Sequence, residues 1–119
     1  MSFERFIKQG HTYKSTVSIW RRGSIVVGMG AMRRFHLADF QYAVLYFDQA
    51  TDRIGIEFSN DVTNEGCLKV THAPNSLVIS AKPFLECYGA THAANQRYPF
   101  VWDAAEQLYV IALRSPLHV

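Results

Sequence analysis

The same order of hydrophobic and polar positions occurs twice along the chain. The stretch "GSIVVGMGAMRRF" begins at Gly23, and "NSLVISAKPFLEC" begins at Asn75. Each stretch has a turn residue and a serine, then three aliphatic residues, then small residues, then apolar positions at helical spacing. The alternation in "STVSIW" predicts a strand before the first stretch, from Thr12 to Trp20. The segment "GCLKVTH" predicts its counterpart before the second stretch.

A predicted hairpin follows each of the two stretches. The first consists of "QYAVLYFD" and "RIGIEFS" joined by "DQATD", and the second of "RYPFVWD" and "QLYVIAL" around "AAE". The segments "GMGAMRRFHL" and "AKPFLECYG" predict the short helix that precedes each hairpin. Each copy therefore predicts two strands, a short helix and two further strands.

The two copies align at an offset of 52 through the second strand and the helix, and at 55 through the hairpin. The loop "ATHAANQ" is the segment that can hold the three additional residues. Val17 and Ile19 fall out of phase with Leu68 and Val70 unless the first turn differs by one residue. The pattern is therefore that of a duplicated β-β-α-β-β unit.

A unit of this size cannot cover its own apolar sheet face, so two copies are expected to close one barrel. The sequence predicts a single domain over residues 1–119 that is mainly β with two short helices. We expect a pseudo-two-fold axis that relates repeat one, residues 12–59, to repeat two, residues 66–114. Cys87 is expected to be a small core residue. The expected core aliphatic residues are Ile25, Val27, Val44, Ile54, Ile56, Leu77, Ile79, Val101, Val110 and Ile111.

The net charge of +2 conceals an uneven distribution of charged residues. Residues 1–37 hold seven Lys and Arg against the single acid Glu4, which gives +6, and the remaining residues carry −4. A local excess of positive charge is typical of phosphate-binding surfaces. A solvated basic face without a partner is the competing interpretation.

The first copy, "STVSIWRRGSIVVGMGAMRRFHLADFQYAVLYFDQATDRIGIEF", resembles the AbrB/MazE/SpoVT swapped-hairpin domain. That family has a strand, a turn with Gly, an aliphatic strand, a short helix with Arg and Leu, and a hairpin. The segment from Leu68 to Leu113 resembles a second copy, as in MraZ-type fused arrangements. The family's usual Pro and Lys after the aliphatic strand are replaced here by Gly28 and Met29.

This resemblance implies a DNA-binding transcription regulator or antitoxin that presents arginines from its barrel and short helix. Carried across position by position, the arginines lie in the first turn and on the first helix. We expect them to contact phosphates, with a guanine edge as a further target for one of them. The predicted nucleic-acid-binding residues are Lys14, Arg21, Arg22, Arg33, Arg34 and Lys82.

Two alternatives to duplex binding stay open. Aromatic and basic residues are interleaved in "WRR", "RRF" and "RYPF", which is also typical of single-strand-binding or protein-interaction modules. Trp20 and Tyr98 are then the expected stacking residues. A remote alternative is a self-processing pyruvoyl enzyme, because Gly23-Ser24 and "KVTHA" resemble aspartate decarboxylase.

Other chemistry is weakly indicated by the sequence. The five histidines lack ligand spacing, so we expect no metal and no other cofactor. Asp48 and Asp103 begin equivalent hairpin turns and are predicted to cap them rather than to act as an acid–base pair. We expect no enzyme, no membrane association and a cytoplasmic protein with DNA as partner. A protein partner and a homo-oligomer stay open.

Overall fold

The computed structural model describes residues 15–61, 63, 65–90 and 95–117. Within these residues the fold is mainly β, as predicted, and nine strands form a nearly closed barrel with two short helices. The helices are α1 (Met29–Arg34) and α2 (Lys82–Cys87), and a 3₁₀ turn (Leu37–Asp39) follows α1. The strands are β1 (Thr16–Ile19), β2 (Ser24–Gly28), β3 (Tyr42–Asp48), β4 (Arg53–Ser59), β5 (Leu68–Ala73), β6 (Ser76–Ser80), β7 (Gln96–Pro99), β8 (Val101–Asp103) and β9 (Leu108–Ala112).

Three predictions fall outside the described residues in whole or in part. They are the first three residues of the predicted strand Thr12–Trp20, most of the loop thought to hold the insertion (residues 91–94), and the predicted site residue Lys14. The part of the first strand that is described is shorter than predicted, because β1 ends at Ile19 and Trp20 begins the turn.

Antiparallel pairing joins the strands in the order β7-β1-β2-β6-β5-β3-β4-β9-β8. The two ends of this order, β7 and β8, are consecutive in the chain and are separated only by Phe100, so the sheet returns on itself. We call β7, β1, β2, β6 and β5 the front sheet, and β3, β4, β9 and β8 the back sheet. The pairing of Tyr42 with Lys69 and of Ala43 with Leu68 joins the two sheets.

The strand registers bear on the internal repeat. Val26 pairs with Val78, 52 positions further along, and Gly55 pairs with Val110, 55 positions further along. If a two-fold axis relates the two repeats, a residue next to the axis must pair with the equivalent residue of the other repeat. Val26 with Val78 and Gly55 with Val110 are pairs of this kind. The partner strands also correspond, since β1 pairs with β7 and β5 pairs with β3. The repeat itself stays a prediction, which superposition of the two halves tests.

The turns of the front sheet differ in length by one residue. The Trp20 N–H donates to the Ser24 carbonyl at 2.8 Å and leaves residues 21–23 in the first turn. Ala73 pairs directly with Ser76, so the corresponding turn between β5 and β6 has two residues. A difference of one residue between the two turns is what the sequence required to bring Val17 and Ile19 of β1 into phase with the apolar positions of β5.

Alternation along the strands determines the core. Val44 and Val110 are half-exposed and Val101 is 54% exposed, so their prediction as core residues was wrong. Their chain neighbours, such as Ala43 and Phe100, point inward, and successive side chains of a strand point to opposite faces. The predicted residues that are fully buried are Ile25, Val27, Ile54, Ile56, Leu77, Ile79 and Ile111.

The prediction of Cys87 as a core residue was also wrong, because its side chain is exposed. The face of α2 that packs on the barrel passes through Ala81, Phe84 and Leu85. Cys87 lies two residues beyond Leu85, which is about 200° around a helix of 3.6 residues per turn. Its side chain therefore points away from the core.

Candidate nucleic-acid interface

The pairing of β2 with β6 determines where the predicted cations lie. Because these strands are antiparallel, the end of β2 lies beside the start of β6. Helix α1 follows β2 and helix α2 follows β6, so the helices lie at opposite ends of the front sheet. The turn between β1 and β2 precedes β2 and therefore lies at the α2 end.

Three predicted cations, Arg21, Arg22 and Lys82, come together at the α2 end, and we call them the turn cluster. The Gly23 carbonyl accepts a hydrogen bond of 2.9 Å from the N–H of Ala81, which fixes the start of α2 against the turn. A Cβ at Gly23 would lie 2.5 Å from the Lys82 Cβ, so turn and helix are in direct contact. All three cationic side chains are exposed.

The turn that carries two of these cations is held by local contacts. The Arg22 guanidinium lies over the Trp20 ring, 4.5 Å from its centroid. The Arg21 N–H donates to Asn95 Oδ1 at 2.8 Å, and the Gly23 N–H donates to the Trp20 carbonyl at 2.9 Å. A cation–π contact of this kind contributes about 0.5–1 kcal/mol at an exposed site. These contacts hold the backbone of the turn and the Arg22 side chain, and none of them neutralises the positive charge of Arg21 or Arg22.

The other predicted arginines lie at the opposite end. Arg33 and Arg34 are in the last turn of α1, where the helix dipole favours cations. Arg34 donates to Ser15 Oγ at 3.2 Å and lies over the Phe35 ring at 5.4 Å. The five residues of β2 separate the two ends by about 13 Å at the usual rise of a strand. The structure therefore does not bring the four arginines into one patch.

Ion pairs in the described part of the chain are confined to the back sheet and its turns. Arg53 lies 3.4 Å from Asp48 and 3.7 Å from Asp103, and Arg114 lies 3.2 Å from Asp52. None of the predicted cations within the described ranges takes part in these pairs. Their charges are accordingly available to an anionic partner.

The described strands of the front sheet contain no Asp or Glu. Its outer face includes a row that crosses the sheet from Arg97 through Ser18, Val26 and Val78 to Thr71. Arg97 is exposed and is a candidate that the sequence reasoning missed. Arg97 precedes Tyr98 in a strand, and successive side chains of a strand point to opposite faces. An inward-facing Tyr98 would therefore have placed Arg97 on the outer face.

The equivalent aspartates Asp48 and Asp103 cap turns, as predicted. Asp48 Oδ1 accepts the N–H of Ala50 at 3.0 Å, and Asp103 Oδ1 accepts the N–H of Ala105 at 3.0 Å. A hydrogen bond from the Thr51 hydroxyl is the largest cause that holds the pKa of Asp48 below its ordinary value. Both carboxylates are therefore explained by local structure.

The residues of the alternative hypotheses are placed less favourably. Tyr98 is only 1% exposed, so its prediction as a stacking platform was wrong, and burial raises the pKa of its hydroxyl. Trp20 is half-buried, and Arg22 covers its ring. Ser24, the residue of the self-processing alternative, is 8% exposed and pairs with Ser80 across β2 and β6.

Within the described ranges, neither α-helix has the length and apolar character needed to cross a membrane. No three metal-ligating side chains come together in that part of the chain. The sequence matches no protein-family model, and no curated protein or solved structure matches it. The resemblance to the swapped-hairpin domain and the activity that it implies therefore stand as proposals.

Proposed function

We propose that this protein binds nucleic acid through the turn cluster, with Arg21, Arg22 and Lys82 contacting phosphates. The observation that supports the proposal is their convergence: two segments some sixty positions apart place three exposed cations at one corner of the barrel. Guanidinium and ammonium groups are the donors that proteins use for phosphate oxygens.

The front sheet extends this surface. Its described strands carry no carboxylate that would repel a polyanion, and Arg97 adds a further exposed cation. Hydroxyl side chains such as Ser18 and Thr71 on the same outer row are further donors for phosphate or sugar oxygens. We infer that the protein is a cytoplasmic, DNA-binding regulator or antitoxin-like protein, as the swapped-hairpin resemblance implies.

The turn cluster is a better candidate than the arginines of α1. The Arg34 side chain donates a hydrogen bond to Ser15 Oγ, whereas among the described residues the side chains of Arg21 and Arg22 make no hydrogen bond of this kind. The position of Arg33 and Arg34 in the last turn of α1 also has a structural reason, since cations stabilise the C-terminal end of a helix.

The test is a binding titration across a salt series, with duplex and single-stranded probes of the same sequence. Three phosphate contacts give a log–log slope of about −2.7 on duplex DNA and about −2.1 on a single strand. A duplex slope near −4 would mean that further cations, such as those of α1, take part. If neither probe binds at low salt, the proposal fails.

A pair of charge-reversal variants locates the interface. Arg21→Glu with Arg22→Glu is expected to weaken binding about 100-fold at low salt, because two phosphate contacts become repulsive. Arg33→Glu is the matched control, since it makes the same kind of change at an exposed position at the other end of the front sheet. Equal losses per charge in both variants would show that overall charge, not the turn cluster, attracts the probe.

A further inference from the structure

The outer face of the back sheet carries a row of apolar residues that crosses all four of its strands, and we call it the back row. Tyr46 pairs with Gly55, Gly55 with Val110, and Val110 with Val101. Tyr46 is 45% exposed and Val101 is 54% exposed. A depression of about 220 Å³ adjoins Gly55 and Val110 at the centre of the row. Exposed apolar groups that lie together in this way mark a surface that another molecule covers.

Acidic side chains surround the back row. The back sheet, its two hairpin turns and the described residues after β9 hold five acids and two arginines, which gives a net charge of −3. These residues are Asp48, Asp52, Glu57, Asp103, Glu106, Arg53 and Arg114. The two arginines pair with three of the acids. Glu57 and Glu106 are exposed and take part in none of these pairs, so the face keeps its negative charge.

The two acids outside the ion pairs lie beside the back row. Glu57 is on the outer face, because its neighbour Ile56 is buried in the interior and successive side chains of a strand alternate. The Glu57 carboxylate accepts a hydrogen bond of 3.0 Å from the Tyr46 hydroxyl at one end of the row. Glu106 borders the central depression together with Asp48 and Arg53. The back sheet therefore has an apolar centre with an acidic rim.

The outer face of the front sheet has the opposite charge. Its described strands and its two hairpin turns hold four cations and no acid: Arg21, Arg22, Lys69 and Arg97. Val26 pairs with Val78 at the centre of this face, and both side chains are half-buried. The front sheet therefore has an apolar centre with a basic rim.

The charges favour one arrangement of two copies of this chain. Two back sheets placed face to face would bring acids against acids, and two front sheets would bring cations against cations. Like charges across an interface oppose association, whereas a front sheet against a back sheet brings a face of +4 to a face of −3. Because the two sheets share one interior, their outer faces point in opposite directions. Each copy can therefore use both faces at once.

We propose that the outer face of the back sheet binds the outer face of the front sheet of a second copy, so that copies associate head to tail. The back row meets Val26 and Val78 at the centre of the contact, and the acidic rim meets the basic rim. An apolar centre with a polar rim is the usual composition of a protein–protein interface. A contact between two different faces extends into a chain of copies unless its rotation closes a ring. This association does not rest on the proposed nucleic-acid binding.

Sedimentation velocity over a range of protein concentrations tests for the association. The weight-average sedimentation coefficient is expected to rise with concentration in low salt. The dissociation constant is expected to increase at least tenfold between about 0.05 and 0.5 M salt, because salt screens the charged rims. Wild-type protein that stays monomeric in low salt at every concentration overturns the proposal, and so does association that is equally strong at both salt concentrations.

Two variants distinguish a head-to-tail contact from any other. The front variant, Lys69→Glu with Arg97→Glu, changes exposed residues of the front sheet and leaves the back sheet intact. The back variant, Glu57→Lys with Glu106→Lys, does the reverse. Each variant alone is expected to be monomeric, and an equimolar mixture is expected to form a dimer that grows no further, because one intact face of each kind remains. A mixture that stays monomeric, or a variant that associates as the wild type does, overturns the proposal.

Controls separate the two faces from total charge and from local structure. Arg33→Glu reverses an exposed charge on α1, outside both outer faces, and is expected to associate as the wild type does. Tyr46→Phe removes the hydrogen bond to Glu57 but keeps the ring, and the same result is expected. Thermal unfolding checks that each variant is folded. A loss of association in Arg33→Glu as large as in the front variant would show that total charge controls the contact, and would contradict the proposal.

Discussion

The front and back sheets of the barrel share an aliphatic interior and differ on their outer faces. The described strands of the front sheet carry no acid, and their outer face bears small, hydroxyl and basic side chains. The back sheet carries Asp48, Glu57 and Asp103. It also exposes large apolar side chains, including Val101 and Trp102. Buried aliphatic side chains are therefore common to the two sheets, while the charges on the outer faces differ between them.

The largest expected effect comes from the interior that the two sheets share. Ile79→Ala in the front sheet and Ile111→Ala in the back sheet are each expected to lower the free energy of unfolding by about 2–5 kcal/mol, since both side chains are fully buried. Val101→Ala, on the outer face, is expected to change it by less than about 0.5 kcal/mol. Denaturant unfolding of the three variants measures this. An unchanged Ile79→Ala would mean that the wrong face of β6 has been assigned to the core.

The next effect distinguishes two glycines. Gly23 has φ of +101°, and a Cβ there would lie 2.8 Å from the Lys82 Cα, so Gly23→Ala is expected to cost about 2–3 kcal/mol. At Gly55 the nearest atom to a new Cβ is Leu108 Cδ1 at 2.8 Å, the movable end of a side chain. Gly55→Ala is therefore expected to cost about 1 kcal/mol. Thermal unfolding gives both values, and a reversed order would contradict the contact between the first turn and α2.

The fold was largely predictable from the sequence because its signals are local. Two-residue alternation and turn formers predicted the hairpins β1–β2, β3–β4, β5–β6 and β8–β9. The segment "RYPFVWD", predicted as one strand, is instead divided at Phe100 into β7, which pairs with β1, and β8, which pairs with β9. The prediction of which side chains point into the core was wrong where apolar residues follow one another without a polar residue between them. Phe100 and Val101 are one such pair, and Val110 and Ile111 are another. Only pairing with neighbouring strands decides which residue of such a run points inward.

The sequence predicted which cations form the candidate site, but not which of them lie next to one another in the fold. The sequence shows Arg21, Arg22, Arg33 and Arg34 as cations of one basic segment, because all four lie within residues 1–37. The length of β2 separates the two pairs by about 13 Å, and the antiparallel pairing of β2 with β6 brings Lys82, from the second half, to the first turn. No spacing in the sequence encodes that contact, since it depends on which strands become neighbours.

A smaller effect is expected at the ion pairs of the back sheet. Arg53 lies between Asp48 and Asp103, and its side chain is 35% exposed, so solvent screens both contacts. Arg53→Met is expected to lower stability by less than about 1 kcal/mol in low salt, and less in high salt. Unfolding at two salt concentrations measures the difference. A large loss that does not change with salt would contradict the assignment of this effect to solvent-screened ion pairs.

The smallest effect is a dependence on acid that comes from the back sheet. The pKa of Asp48 is lowered, first by the Thr51 hydroxyl and also by Arg53. A lowered pKa gives stability that is present above the ordinary carboxyl value of about 4 and is lost as the pH falls through the lowered value. Asp48→Asn and Thr51→Val are therefore both expected to flatten the fall of melting temperature below about pH 4. Ser18→Ala, on the front sheet, removes no carboxylate and should leave that slope unchanged. An equal flattening in Ser18→Ala would contradict the assignment of this acid dependence to the β3–β4 turn.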